Sequence, residues 1–216
     1  MNMKPILAAV FGLALLGAAP CAGAADALSL KFVPHAVFFS AETKQPETID
    51  PQDFVADPVK AAAVGPQGIK HAAGYRPARI DQDAMSTPVN TADGRSLGFD
   101  LGAWLGATGE VAITQKDGAT VLSATFRRLK PGGVYSLFEN HFDQKPVGFT
   151  PTDGAGRANT FTAGPDGAAA VTMRLTHMPT HSNAVRLVYH SDGQAHGLER
   201  GQIGVNADHQ LIARPE

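Results

Sequence analysis

From Thr91 onward the chain is cut into short apolar runs, each bounded by a turn built from Gly, Asp or Pro. That punctuation is the pattern of an all-β domain. Runs over 110–114 and 120–126 flank Lys116-Asp117-Gly118, a hairpin turn. A run over 134–142 follows Lys130-Pro131-Gly132-Gly133, and runs over 160–162 and 168–175 flank Gly164-Pro165-Asp166-Gly167. Further strands are predicted over 183–189 and 202–206, with a tail over 210–213. Residues 96–101 alternate and then run into Trp104-Leu105, read as one helical turn. Seven or eight strands at this spacing predict a β-sandwich over 96–216 rather than alternating β-α units.

The first 24 residues read as a secretory signal peptide. Lys4 gives a positive start, 6–16 are apolar, and Ala22-Gly23-Ala24 form a small-residue cleavage site before Ala25. This implies a periplasmic or secreted protein. The apolar stretch is too short and too lightly flanked for a membrane anchor. Pro20 before Cys21 is a poor fit to a lipidation site. Cys21 is the one cysteine, so cleavage after Ala24 excludes disulfides and thiolate chemistry from the exported chain.

Residues 25–95 read as a partly irregular N-terminal extension. A strand is predicted over 28–39, interrupted by Pro34 and so placed at a sheet edge or a bulge. Asp50-Pro51 and Asp57-Pro58 read as helix caps, the second starting a short helix stopped by Gly65-Pro66. The rest of this region, rich in Pro, Gly, Ala and Gln, is predicted as loop.

Charge excludes several classes. With 18 basic against 20 acidic residues, the net charge is −2. The only basic cluster, Arg127-Arg128-Leu129-Lys130, reads as a solvated strand end, so no nucleic acid is expected as partner. No later segment is apolar for long enough to span a bilayer. There is no phosphate-binding glycine loop and no Gly-x-Ser-x-Gly turn. Ser191 and Asp192 beside His190 resemble a catalytic triad only on paper, since sequence neighbours rarely reach that geometry.

Five of the eight histidines fall between His177 and His209. His190, Asp192 and His196 form the densest cluster, delivered by an apolar strand to one turn. Imidazole and carboxylate on a stiff support suit a borderline metal. The alternative is a tight turn in which Asp192 caps its own backbone. Met173, His177, Met178 and His181 form a second cluster, whose thioether and imidazole groups favour copper. The alternative there is a polar loop with Met173 in the core. Loops that meet at one end of the sandwich would build a single site. His35, His71 and His209 read as ordinary surface or capped residues. Tyr135, Phe138, Phe142 and Phe149 read as core or as the lining of a pocket or partner surface.

At the strands, Gly109-Glu110-Val111-Ala112-Ile113-Thr114-Gln115, Leu129-Lys130-Pro131-Gly132 and Ala158-Asn159-Thr160-Phe161-Thr162-Ala163 resemble the Cu/Zn superoxide dismutase sandwich family. Val185-Arg186-Leu187-Val188-Tyr189-His190, with Ile203-Gly204-Val205 after it, resembles that family's last copper strand and the strand following. The resemblance covers about 109–206 and implies an antiparallel Greek-key β-sandwich. It also implies an altered site. The family's His-x-His falls near Leu137 and Glu139, its zinc loop near 143–157 contains no histidine, and only His190 matches a copper ligand. One such ligand cannot support dismutation. The expected function is a non-catalytic binding protein with a weak copper or zinc site in the C-terminal histidine loops, or a small-ligand or protein partner. The alternatives are a diverged metalloenzyme using His190, His196 and one of His177 or His181, and an interaction module without a metal.

Overall fold

The computed structural model describes residues 26–216; the leader read in 1–24 lies outside them. The N-terminal part contains β1 (Asp26–Lys31), β2 (Val33–Pro34), α1 (His35–Glu42), β3 (Ile49–Ala56) and β4 (Ala63–Val64). After these come β5 (Lys70–His71), β6 (Tyr75–Arg79), β7 (Pro88–Asn90), β8 (Ser96–Asp100) and the one-turn helix α2 (Leu101–Leu105). The remaining elements are β9 (Thr108–Lys116), β10 (Ala119–Arg127), β11 (Val134–His141) and β12 (Gly148–Pro151). They end with β13 (Thr160–Thr162), β14 (Ala169–Leu175), β15 (Asn183–His190) and β16 (Asp208–Ala213).

These strands build mostly antiparallel sheets. One has the order β1-β9-β10-β14, and a larger one the order β12-β11-β15-β16-β2, with β13 also on β11. Val111, Ile113, Leu122 and Phe126 of the first meet Tyr135, Leu137, Leu187 and Leu211 of the second in one buried cluster. A third sheet, β6-β3-β7-β8, and the pair β4-β5 come from the N-terminal region.

The two main sheets differ in how they meet water. Residues alternate between buried and accessible along β9 and β10, so one face is wet. Every residue of β15 and β16 is buried, so the outer face of the larger sheet is covered. Its cover is α1, β3 and the loops beside them.

Local expectations fared unevenly. Asp117-Gly118 forms the two-residue hairpin, with φ of 51° and 76°, as a primed turn requires. The strand predicted over 28–39 ends instead at Lys31, and α1 begins at His35. Pro34, at φ −55°, closes the two-residue β2 and leads into the helix. Asp50 does cap like a helix start, accepting from the N–H groups of Gln52 (3.1 Å) and Asp53 (3.2 Å). The chain there stays extended because Phe54 and Val55 pair with Pro77 and Arg76. After Asp57 a single turn forms, Lys60 N–H to Asp57 C=O, and then Ala63 pairs with His71 in place of the expected helix. The strand predicted over 202–206 is a turn, because Asn206 Oδ1 accepts the Gln202 N–H at 2.7 Å and folds the segment back. The N-terminal region is also built into the main sheets: β1 pairs with β9 over six residues, and β2 pairs with β16.

Candidate functional site

Side chains alternate across β15. Val185, Leu187 and Tyr189 enter the core between the sheets, while Val188 packs with Phe138 and Ala207 on the covered outer face. Arg186 and His190 share that outer face with Val188. On it lies a cavity of about 480 Å³, walled by His35, Asn140, Phe142, Arg186, Arg200 and His209 among others.

The wall is polar and its polar groups are incompletely matched. Arg186, only 4% exposed, places Nη1 2.6 Å from Nδ1 of His209. Gln52 Nε2 lies 2.8 Å from the same nitrogen, and Gln52 Oε1 accepts the His209 backbone N–H. Two donors on Nδ1 make it the acceptor and put the ring proton on Nε2. His209 Nε2, Arg186 Nε, Asn140 Oδ1 and His35 Nδ1 are buried without a hydrogen-bond partner among the described residues. All four belong to side chains that line this cavity.

Electrostatics follow from burial. Desolvation, and then the nearby Arg186 charge, hold His35 and His209 well below the usual histidine range, so both are neutral. Burial, then the positive Arg200, pushes Arg186 down to about 9. Neither arginine forms an ion pair among the described residues. Arg200 instead lies over the Phe149 ring at 4.2 Å, and Phe149 stacks on Phe138 (4.7 Å) and His209 (5.5 Å).

Behind the cavity Gln52 connects His209 to a set of buried acids, Asp50, Asp53 and Asp208. Asp50 accepts from Trp104 Nε1 at 3.1 Å and from two backbone N–H groups. Both oxygens of Asp53 and of Asp208 lack donors. Burial first, then the charge of Asp50, raises these two well above the usual carboxylate range and favours their protonated forms.

The histidines singled out from sequence fall into separate places. His190 is buried, with Nε2 2.7 Å from Ser136 Oγ and Nδ1 unpartnered. Its ring lies 5.2 Å from that of His196, whose Nε2 is 3.1 Å from Asp192 Oδ2. Asp192 also accepts from Gln194 N–H and Asn206 Nδ2, so it caps the turn while pairing with His196. Burial, then the His196 charge, lowers His190 to about 4. His177 Nε2 is 2.9 Å from Glu139 Oε1, and His181 Nδ1 donates to the Pro215 carbonyl at 3.1 Å. Glu139 pairs with Val185, five residues before His190 on β15. That is roughly 17 Å of strand, and Glu139 is on the opposite face from Ser136. The two histidine loops therefore do not meet. Met173 is in the core, its sulfur accepting from Thr152 Oγ1. Among the described residues no three His, Cys, Asp or Glu side chains are placed to hold a metal ion.

Sequence reasoning passed over Asn140, Arg186 and Arg200, and it read His35, His71 and His209 as ordinary surface or capped residues, whereas all three are buried. One signal was available: Arg186 is a charge at the centre of an otherwise apolar strand, Val185-Arg186-Leu187-Val188. Such a charge lies either at an exposed edge or in a polar interior. No protein family, curated protein or solved structure matches this chain.

Proposed function

We propose that this chain is a binding protein, and that its ligand occupies the cavity on the covered outer face of the β15–β16 sheet. The supporting observation is the set of four buried, unpartnered polar atoms on side chains of a single 480 Å³ cavity. Buried polar groups are nearly always hydrogen-bonded, and leaving each one unmatched costs about 1–3 kcal/mol. A pocket of this size with a few convergent polar groups is the ordinary form of a small-molecule site. The scaffold in this reading is a Greek key of the dismutase-like type: β9 and β10 form a hairpin, β11 crosses to the other sheet, and β14 returns beside β10. Export is part of the reading, and a mature N-terminus at Ala25, read by mass spectrometry, is its direct test. For the cavity, fragment screening by protein-observed NMR should shift resonances of β15 and β16, and Val147→Trp at the cavity mouth should abolish those shifts. Fragments that bind the wild type and this variant equally would remove the cavity from the account.

A second reading places copper or zinc at His190, with His196 and Asp192 beside it. It is favoured by the unpartnered Nδ1 of His190 next to the His196 ring. Calorimetric titration with Cu(I), Cu(II) and Zn(II) tests it. Affinity weaker than tens of micromolar, or affinity kept in His190→Asn, would exclude it.

A further inference from the structure

We infer that the ligand of this cavity is a small monocarboxylate with an apolar body, its carboxylate held by Arg186 and the Nε2–H of His209. This deepens the binding reading above and rests on it. The first argument is charge. A buried cation without a counter-ion is among the least favourable arrangements in a protein interior, and natural chains pair such groups. Arg186 has no carboxylate partner among the described residues; its one polar contact there is the neutral His209. A carboxylate brought in by a ligand supplies the missing charge.

Geometry narrows the class further. A guanidinium presents parallel N–H donors that match the two oxygens of a carboxylate. Arg186 keeps its Nε–H unpartnered, and His209 keeps its Nε2–H unpartnered. Both residues lie on the same cavity wall. The donor pair is fixed from behind: Arg186 and Gln52 both approach His209 Nδ1, which keeps the His209 proton on the far nitrogen. A ring that had to rotate or change tautomer would lose those contacts.

The available donors separate a carboxylate from a phosphate. His35 and His209 are held neutral by their burial and by Arg186. Arg200 is a second cation of the wall and lies against the face of Phe149. The fixed pair of unpartnered donors, Arg186 Nε–H and His209 Nε2–H, matches the two oxygens of one carboxylate, whereas a phosphate brings further oxygens to this pair. Phe38, Phe39, Phe142, Pro146, Val147 and Ile203 line much of the rest and suit a hydrocarbon body, beside the polar Thr43 and Gln67. Glu42, paired with Arg214 at 3.1 Å, also lines the cavity and disfavours a second anionic group. A wholly polar anion would leave these walls uncovered.

The test is calorimetry on the purified protein with benzoate, hexanoate, benzamide, hexanamide and inorganic phosphate. Each carboxylate is expected to bind at least ten-fold more tightly than its amide and than phosphate. Arg186→Met should erase that preference, and Arg186→Lys, which keeps the charge and loses the fork, should weaken carboxylates several-fold. Circular dichroism of both variants checks that they fold, and His209→Phe, which removes the Nε2–H together with the Nδ1 acceptor that Arg186 and Gln52 approach, should give a second loss of the carboxylate preference. Amides binding as tightly as carboxylates, or phosphate binding more tightly, would overturn the carboxylate assignment while leaving the cavity reading intact. If none of the five probes binds the wild type, the assignment also falls. The cavity reading then fails separately only when the fragment screen finds nothing that Val147→Trp removes.

Discussion

Arg186 Nη1 and His209 Nδ1 are 2.6 Å apart inside the protein, a cation donating to a neutral ring, and Arg186 has no ion-pair partner among the described residues. The pair joins neighbouring strands, β15 and β16, on the face turned away from the sandwich core. A buried charge of this kind is held only against a desolvation penalty.

Stability should therefore improve when the charge is removed. Arg186→Met is close in length and wholly apolar at its end. In the ligand-free protein it is expected to raise stability by about 1–3 kcal/mol, by analogy with buried ionic groups replaced by well-packed apolar ones. Urea denaturation at pH 7.5 measures this directly. A midpoint lower than that of the wild type would show that Arg186 is already stabilised where it lies.

Acid should destabilise the fold through its buried histidines. His35, His209 and His190 have folded-state pKa values below the unfolded value of about 6.5, so the unfolded chain binds more protons as pH falls. Stability is then fully present above about 6.5 and declines as pH drops towards the folded values, about 4 for His190. His190→Asn should flatten the decline between pH 6.5 and 4 without abolishing it. The measurement is a set of urea midpoints across that range.

The buried acids should act in the opposite sense. Asp53 and Asp208 have raised folded-state values, so their contribution is complete below the unfolded value near 3.9 and is lost as pH rises towards the folded value. Asp208→Asn mimics the protonated side chain. It should stabilise the protein at pH 8, and the gain should shrink towards zero near pH 4. Equal effects at both ends of that range would mean that Asp208 is ionised in the folded protein.

The β9–β10 hairpin offers a purely conformational check. Gly118 sits at φ 76° with open space around its α-carbon. Gly118→Ala therefore meets no clash and costs only the left-handed backbone penalty, about 1–2 kcal/mol. Thermal unfolding should show a small drop in Tm with unchanged circular dichroism.

The strands of the second half were legible because their signals are local. Asp117-Gly118 prescribes its turn by φ alone, and the alternation along β10 declares which face is wet. The N-terminal region was not legible for the opposite reason. Asp50 carries a good cap signal, and the cap forms, yet pairing of Phe54 and Val55 with a strand more than twenty residues downstream decides the conformation. The site was hidden in the same way. His35, Gln52, Arg186 and His209 are scattered from α1 to β16, and nothing in their spacing joins them. The histidine-dense loops drew attention because their residues are close in sequence, whereas His177 and His190 are separated by the length of a strand.

The pairing of β1 with β9 sets Asp26 against Gln115, and β2 sets Val33 against Ile212. The first described strand thus waits for a partner almost ninety residues away, and its neighbour waits for nearly the whole chain. Loop closure of that span is slow, so folding should be limited by late, non-local docking rather than by hairpin formation. Until Ile212 is available, β2 has no partner and α1, which follows it, lacks its anchor over the Arg186 face. The last strand made is the one that holds the second in place.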